Sequence, residues 1–154
     1  VPAAVRAATS LPLLVKLTPN TGDIAGVAIA VARAGADAIS LINTLKGMAI
    51  DITGRRPLLG SVTGGLSGLA IKPVALAMVY EVAGSVDLPI VGCGGITGAS
   101  DAIEFIMAGA SAVQVGTASF ANPRASLDVL EGIKRFMEKE GIEDIVELIG
   151  AARH

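Results

Sequence analysis

Residues 88–117, LPIVGCGGITGASDAIEFIMAGASAVQVGT, contain two apolar runs, each stopping at a glycine-bearing turn, with an amphipathic stretch between them. Apolar runs without polar alternation fit strands buried on both faces. Parallel neighbours also need a long crossover such as a helix, because a tight turn cannot join them. The stretch therefore predicts a βα unit whose strands open into Gly94-Gly95 and Gly116-Thr117 at their carboxyl ends. Glycine there lets backbone approach a ligand and present N–H groups to an anion such as phosphate. In (β/α)8 barrels such a site often follows the seventh and eighth strands. Tight strand exits also favour glycine, so the two turns alone leave both readings open.

At 154 residues the chain is sized for one domain, and 52% hydrophobic residues make it rich in core for its length. A parallel sheet explains that excess, and so does burial of further surface against a missing portion of a larger protein. The longest uncharged stretch, residues 105–123, is broken by Gly, Ser, Gln114 and Asn122 and does not resemble a membrane span. The start shows no signal-peptide pattern. Val1 is no initiator methionine, and VPAAVRAATS reads as a helix joined midway, so we expect a truncated or processed amino end. A net charge of −2 and 3% aromatic residues offer neither an electrostatic footprint nor stacking platforms for nucleic acid. One cysteine excludes an internal disulfide and a cysteine-rich metal site, which makes a reducing cytoplasm the expected setting.

In chain order, residues 13–17 (LLVKL) predict a short buried strand, residues 21–34 a helix ended by Gly35, and residues 38–42 a second strand running into Asn43-Thr44. Residues 45–68 form a long polar, glycine-rich insertion with possible strands at 49–52 and 58–62, and a loop of that length usually has a function. A helix over 70–83 follows, then a strand at 89–93, a helix at 100–108 and a strand at 112–115. Asn122-Pro123 predicts an N-cap and first-turn pair for a helix over 124–140 with an apolar stripe of Leu127, Leu130, Ile133 and Met137. Gly141 ends it, and residues 142–150 form a last short helix. Four strands alternating with helices give an α/β fold, either half of a (β/α)8 TIM barrel or a small open parallel sheet.

Lys16 is costly in an apolar strand unless its ammonium reaches solvent, a ligand or a carboxylate. At a strand's carboxyl end it forms a Schiff base, stabilises negative charge on a bound ring, or simply snorkels outward. Asn43 and Thr44 sit at the mouth, where a carboxamide can pair with the edge of a pyrimidine-like ring or serve only as a turn former. The loop 63–68, TGGLSG, can bring backbone against a flat cofactor but lacks the GK[ST] ending of a P-loop. Cys93 lies inside an apolar run with no histidine before His154 to activate it, so we read it as buried and inert. His154 is expected to be solvent-exposed.

Together, VKLTPN (15–20), INT (42–44), TGGLSG (63–68), IKPVAL (71–76), GCGGI (92–96) and VGTA (115–118) strongly resemble the dihydroorotate dehydrogenase family in order and spacing across nearly the whole chain. The INT and GGLSG wording is most similar to the cytosolic, NAD-linked form that works with an iron–sulfur, FAD-containing partner subunit. The resemblance implies an FMN-binding TIM barrel that oxidises dihydroorotate to orotate in pyrimidine biosynthesis. A base removes a proton from C5, and hydride passes from C6 to the flavin.

It also implies that Gly94, Gly95, Gly116 and Thr117 hold the FMN phosphate. Lys16 contacts the isoalloxazine and stabilises the anionic reduced flavin, Ile42 and Gly68 line the flavin, and Asn43 and Thr44 bind the orotate ring. The family's catalytic cysteine belongs before Val1, and Cys93 does not align with it. The chain therefore reads as the carboxyl-terminal half of one barrel domain, inactive alone, with no catalytic residue of its own. Other readings are an FMN-barrel reductase of pyrimidines or dihydrouridine, a lysine Schiff-base aldolase, and a half-barrel that only folds, oligomerises or binds phosphate. Unpaired edge strands and an exposed inner face predict a homo-oligomer.

Overall fold

The computed structural model describes residues 1–153; His154 lies outside the described residues. Helix α1 (Pro2–Ala8) leads to strand β1 (Leu14–Lys16), helix α2 (Ile24–Arg33) and strand β2 (Ala38–Leu41). Four short strands follow, β3 (Leu45–Gly47), β4 (Ile50–Asp51), β5 (Arg56–Pro57) and β6 (Gly64–Leu66). A 3-10 turn over Leu69–Ile71 runs into α3 (Lys72–Ala83), then β7 (Ile90–Cys93), α4 (Ala99–Met107) and β8 (Ala112–Gln114). The chain continues through α5 (Ala118–Ala121) and α6 (Ala125–Glu140) to a last 3-10 turn at Ile145–Leu148.

Strands β1, β2, β7 and β8 form one parallel sheet in that order, so each strand pairs with the next main strand along the chain. Register settles which side chains share a face. Val15 lies beside Ile39, Ile39 beside Ile90, and Gly92 beside Val113. This face is buried under the helices, with Ile39 and Leu41 wholly enclosed and Ala28, Ala75, Val79, Ala102 and Phe105 packed over them. A Cβ on Gly92 would come within 2.7 Å of the Phe105 ring, so the strand needs a residue without a side chain where the largest core group sits down.

The opposite face carries Leu14, Lys16, Ala112 and Gln114, all exposed, on the outer strands, with Ala38, Val91 and Cys93 part buried and Ser40 buried between them, and among the described residues no helix packs on it. A doubly wound sheet would bury both faces. Helices on one face and a bare second face are the arrangement of four consecutive βα units of a (β/α)8 barrel.

The elements follow local chemistry. Asp23 caps α2 by accepting from the Gly26 N–H at 2.7 Å, and Pro73 sits in the first turn of α3. The insertion folds as two small antiparallel ribbons, β3 with β6 and β4 with β5. The strand expected at 58–62 is absent, because β5 ends at Pro57 and the chain then turns back toward β6. Asn122 does not cap the long helix. The short α5 intervenes, Asn122 Oδ1 accepts from the Arg124 N–H at 3.0 Å, and α6 starts at Ala125. Its buried face is Ala125 and Val129, with Ile133 partly buried, whereas Leu127 and Leu130 are half exposed. Gly132 lets α6 press against Ala99 at the start of α4.

Candidate functional site

The carboxyl ends of the four sheet strands converge on one cleft of about 150 Å³. Lys16 is the last residue of β1, Ile42 to Thr44 follow β2, Gly94 and Gly95 follow β7, and Gly116 and Thr117 follow β8. Gly68 enters from the loop after β6. All nine residues singled out from the sequence thus line the same cavity. Their convergence is a direct result of parallel pairing, which puts every strand's exit on one side.

Gly94 and Gly95 make the tightest wall. Both have positive φ, +139° and +72°, and a Cβ on Gly95 would fall 2.8 Å from Lys72 Cβ and 2.9 Å from the Gly68 carbonyl oxygen. Only glycine fits there, and the turn is wedged against the start of α3. At Gly116, by contrast, an added Cβ would meet nothing within 4 Å, so that backbone faces open space. Among the described residues, the N–H groups of Gly95, Gly116 and Thr117 donate to no protein acceptor. Unused backbone donors beside open space form a cradle suited to an anionic oxygen group. The Thr117 hydroxyl donates to Ser67 Oγ at 2.9 Å, which joins the β8 exit to the glycine-rich loop.

Among the described residues, Lys16 is the only charged side chain lining the cleft, and no carboxylate shares it. Its Nζ lies 3.8 Å from Cys93 Sγ. Cys93 departs from the expectation of a buried, inert thiol: it is half buried, and its position beside Gln114 in the register turns it to the bare face with Lys16. Asn43 Oδ1 accepts from the Thr44 N–H at 2.9 Å. Thr44 is in turn held by Asn20, whose Nδ2 donates to the Thr44 carbonyl at 3.0 Å and whose Oδ1 accepts from the Lys46 N–H at 2.8 Å.

The sequence carried Asn20 only within VKLTPN and Ser67 only within TGGLSG, and gave no site role to Thr97 or Gln114; all four line or support the cleft. The signal for Gln114 was its place two residues before Gly116 in an otherwise apolar strand. Ser40, the one buried polar side chain of the sheet among the described residues, donates to Gln114 Oε1 at 3.3 Å, and this bond satisfies it.

Behind the glycine wall lies a charged cluster. Lys72 Nζ donates to Asp101 Oδ1 at 2.7 Å and to Glu104 Oε1 at 3.1 Å. Asp101 Oδ2 accepts from Thr97 N and Oγ1, both at 2.8 Å, and from Gly98 N at 3.1 Å. Burial alone would raise the Asp101 pKa, but the bonds from Lys72, Thr97 and Gly98 outweigh it and hold the group at about 2. Lys72 is raised from its ordinary value by its hydrogen bonds to Asp101 and Glu104. Among the described residues no group of three or more His, Cys, Asp or Glu is placed to hold a metal, and no helix is long and apolar enough to cross a membrane.

One-sided helices over a parallel sheet, with a cationic, glycine-walled cleft at the strand exits, define a ligand-binding α/β unit of the barrel class. A family model described as dihydroorotate dehydrogenase matches residues 1–137. The chain belongs to the dihydroorotate dehydrogenase family. It is 58% identical over 97% of its length to a protein of Pelobacter propionicus named dihydroorotate dehydrogenase B (NAD(+)), catalytic subunit. It is 61% identical over 96% of its length to the protein of that name from Alkaliphilus oremlandii, and 60% identical over 97% to that of Trichlorobacter lovleyi. In each case it spans 49% of the relative's length, about half of the curated proteins it matches.

Proposed function

We propose that this chain is the carboxyl-terminal half of the FMN-binding barrel of an NAD-linked dihydroorotate dehydrogenase, working in the cytoplasm as a homo-oligomer beside an electron-transfer subunit that carries FAD and an iron–sulfur cluster. One observation carries the reading. Residues from five separate stretches, each matched to the family's pattern, meet in a single cleft where, among the described residues, the one charge is Lys16 and the glycine turns leave backbone donors unused.

The residues present fit FMN. Gly94, Gly95, Gly116 and Thr117 would hold its phosphate on backbone N–H groups, and Ile42 and Gly68 would line its ring. Bound there, FMN supplies a hydride acceptor for oxidation of dihydroorotate to orotate. Lys16 adds positive charge where the ring would gain negative charge, in a cleft without a competing carboxylate. Asn43 and Thr44 would orient the substrate ring through paired donor and acceptor groups, with Asn20 fixing Thr44 from behind. The base that takes the C5 proton is assigned to an amino-terminal half, because the family's catalytic cysteine belongs before Val1 and Cys93, although it lines this cleft, does not align with it.

The visible spectrum of the purified chain, alone and with the amino-terminal half of a relative supplied, tests the proposal. Released FMN identified by mass, and anaerobic bleaching of the completed protein by dihydroorotate, are expected. A completed protein that stays colourless with added FMN overturns the flavin assignment. Bleaching by a dihydropyrimidine or dihydrouridine but not by dihydroorotate overturns the substrate assignment.

A further inference from the structure

We infer that Lys72 and Asp101 are positioning residues for the anion-binding turn, a brace that holds Gly94-Gly95 in shape without touching the ligand. The inference rests on the flavin reading above and concerns residues to which that reading gives no role. Lys72 stands at the first position of α3, and its own backbone walls the turn: a Cβ on Gly95 would lie 2.9 Å from Lys72 N. From there its side chain reaches over to Asp101 at 2.7 Å. Asp101 in turn gathers Thr97 N, Thr97 Oγ1 and Gly98 N, the groups immediately after the turn. The turn is therefore gripped from both sides, by the Lys72 backbone on one and by Asp101 on the other, with one short ion pair closing the loop.

The closure is mostly shielded from water, since the Lys72 and Asp101 side chains are only 20% and 13% exposed. Bonds between ionised partners are shorter and more directional than neutral ones, and a site of this kind depends on a supporting shell that fixes its donors. Glu104, the second acceptor for Lys72, is 45% exposed and reaches no group of the turn. It steadies the ammonium but does not complete the grip.

A general stabilising ion pair would weaken every ligand alike. A brace for the phosphate turn weakens only ligands that carry the phosphate. The test compares FMN with riboflavin, binding each to the apoprotein of the full-length form, made by joining this chain to the amino-terminal half of a curated relative. The unmodified protein is expected to prefer FMN. Lys72→Met should cut that preference by about tenfold or more while riboflavin binding stays level, which also reports an intact fold. Lys72→Arg, which keeps a donor pair for Asp101, should restore most of it, and Glu104→Gln should leave it unchanged. Equal losses for both flavins, or no loss in Lys72→Met, overturn the brace. An unmodified protein that binds riboflavin as tightly as FMN overturns the phosphate site itself, a result separable from failure of the brace.

Discussion

Lys16 is placed where its replacement speaks most directly to chemistry. Changing Lys16→Met leaves the strand's register intact, because the side chain lies on the bare face and packs under no helix. The completed protein is expected to lose about a hundredfold in the rate of flavin reduction by substrate, the usual order for one electrostatic group at a charged transition state. Stopped-flow bleaching measures it, and an unchanged rate would remove Lys16 from the mechanism.

Asp101 gives a prediction in pH. Its pKa is depressed in the folded state, from an ordinary 3.8 to about 2. Its contribution is therefore complete above the unfolded value and lost as pH falls from about 4 toward 2, amounting to about 2 kcal/mol. Urea midpoints between pH 5 and pH 2 should show this acid limb in the parent chain and a shallower one in Asp101→Asn. Lys16 stood out in the sequence because a cation in an apolar strand breaks a local rule, whereas the glycines, ordinary at strand exits, were singled out by the family pattern. Lys72 and Asp101 were not, because each looks like an ordinary residue on a helix surface, and only the spacing of α3 and α4 brings them together.

Among the elements, the β3–β6 ribbon matters most for the site, since β3 continues directly from Thr44. A side chain on Gly65 would collide with the Thr44 hydroxyl. Gly65→Val should therefore push the ribbon apart and displace Thr44, lowering orotate affinity by about tenfold with little change for FMN. Titration of the two ligands separately would show whether the ribbon serves one and not the other. The main strands and helices could be read from periodicity within a few residues, because a buried parallel strand and its crossover helix impose strong patterns. The insertion could not be read so well, since two-residue strands such as β4 and β5 carry no period. On α6 the expected stripe held only in part: Ile133 and Met137 are part buried, but Leu127 and Leu130 are half exposed, and Ala125 and Val129 are the buried residues instead.

For the whole molecule, the bare face and the outer strands β1 and β8 set solution behaviour. Among the described residues each of these strands pairs on one side only, and Leu14 on the bare face is 48% exposed. The 154-residue chain on its own is expected to self-associate, and light scattering across a dilution series should show mass falling only at low concentration. A stable monomer at all concentrations would count against an exposed inner face. The alternation of strands and helices made a parallel α/β sheet legible, either a half-barrel or a small open sheet, and the family pattern chose between them. The alignment of nine residues around one cleft was legible only through the family pattern, because spacing along a chain does not say which loops share a mouth.

The cradle between the β7 and β8 exits has a thermodynamic consequence. An anion bound by Gly95, Gly116 and Thr117 together would fasten the outermost strand to its neighbour. Ligand concentration would then act on unfolding through mass action, adding about 2.7 kcal/mol at a hundred times the dissociation constant. Amide exchange in β8 should slow with added ligand before exchange in β2 does, so that occupancy of the cleft could be read from the edge of the sheet.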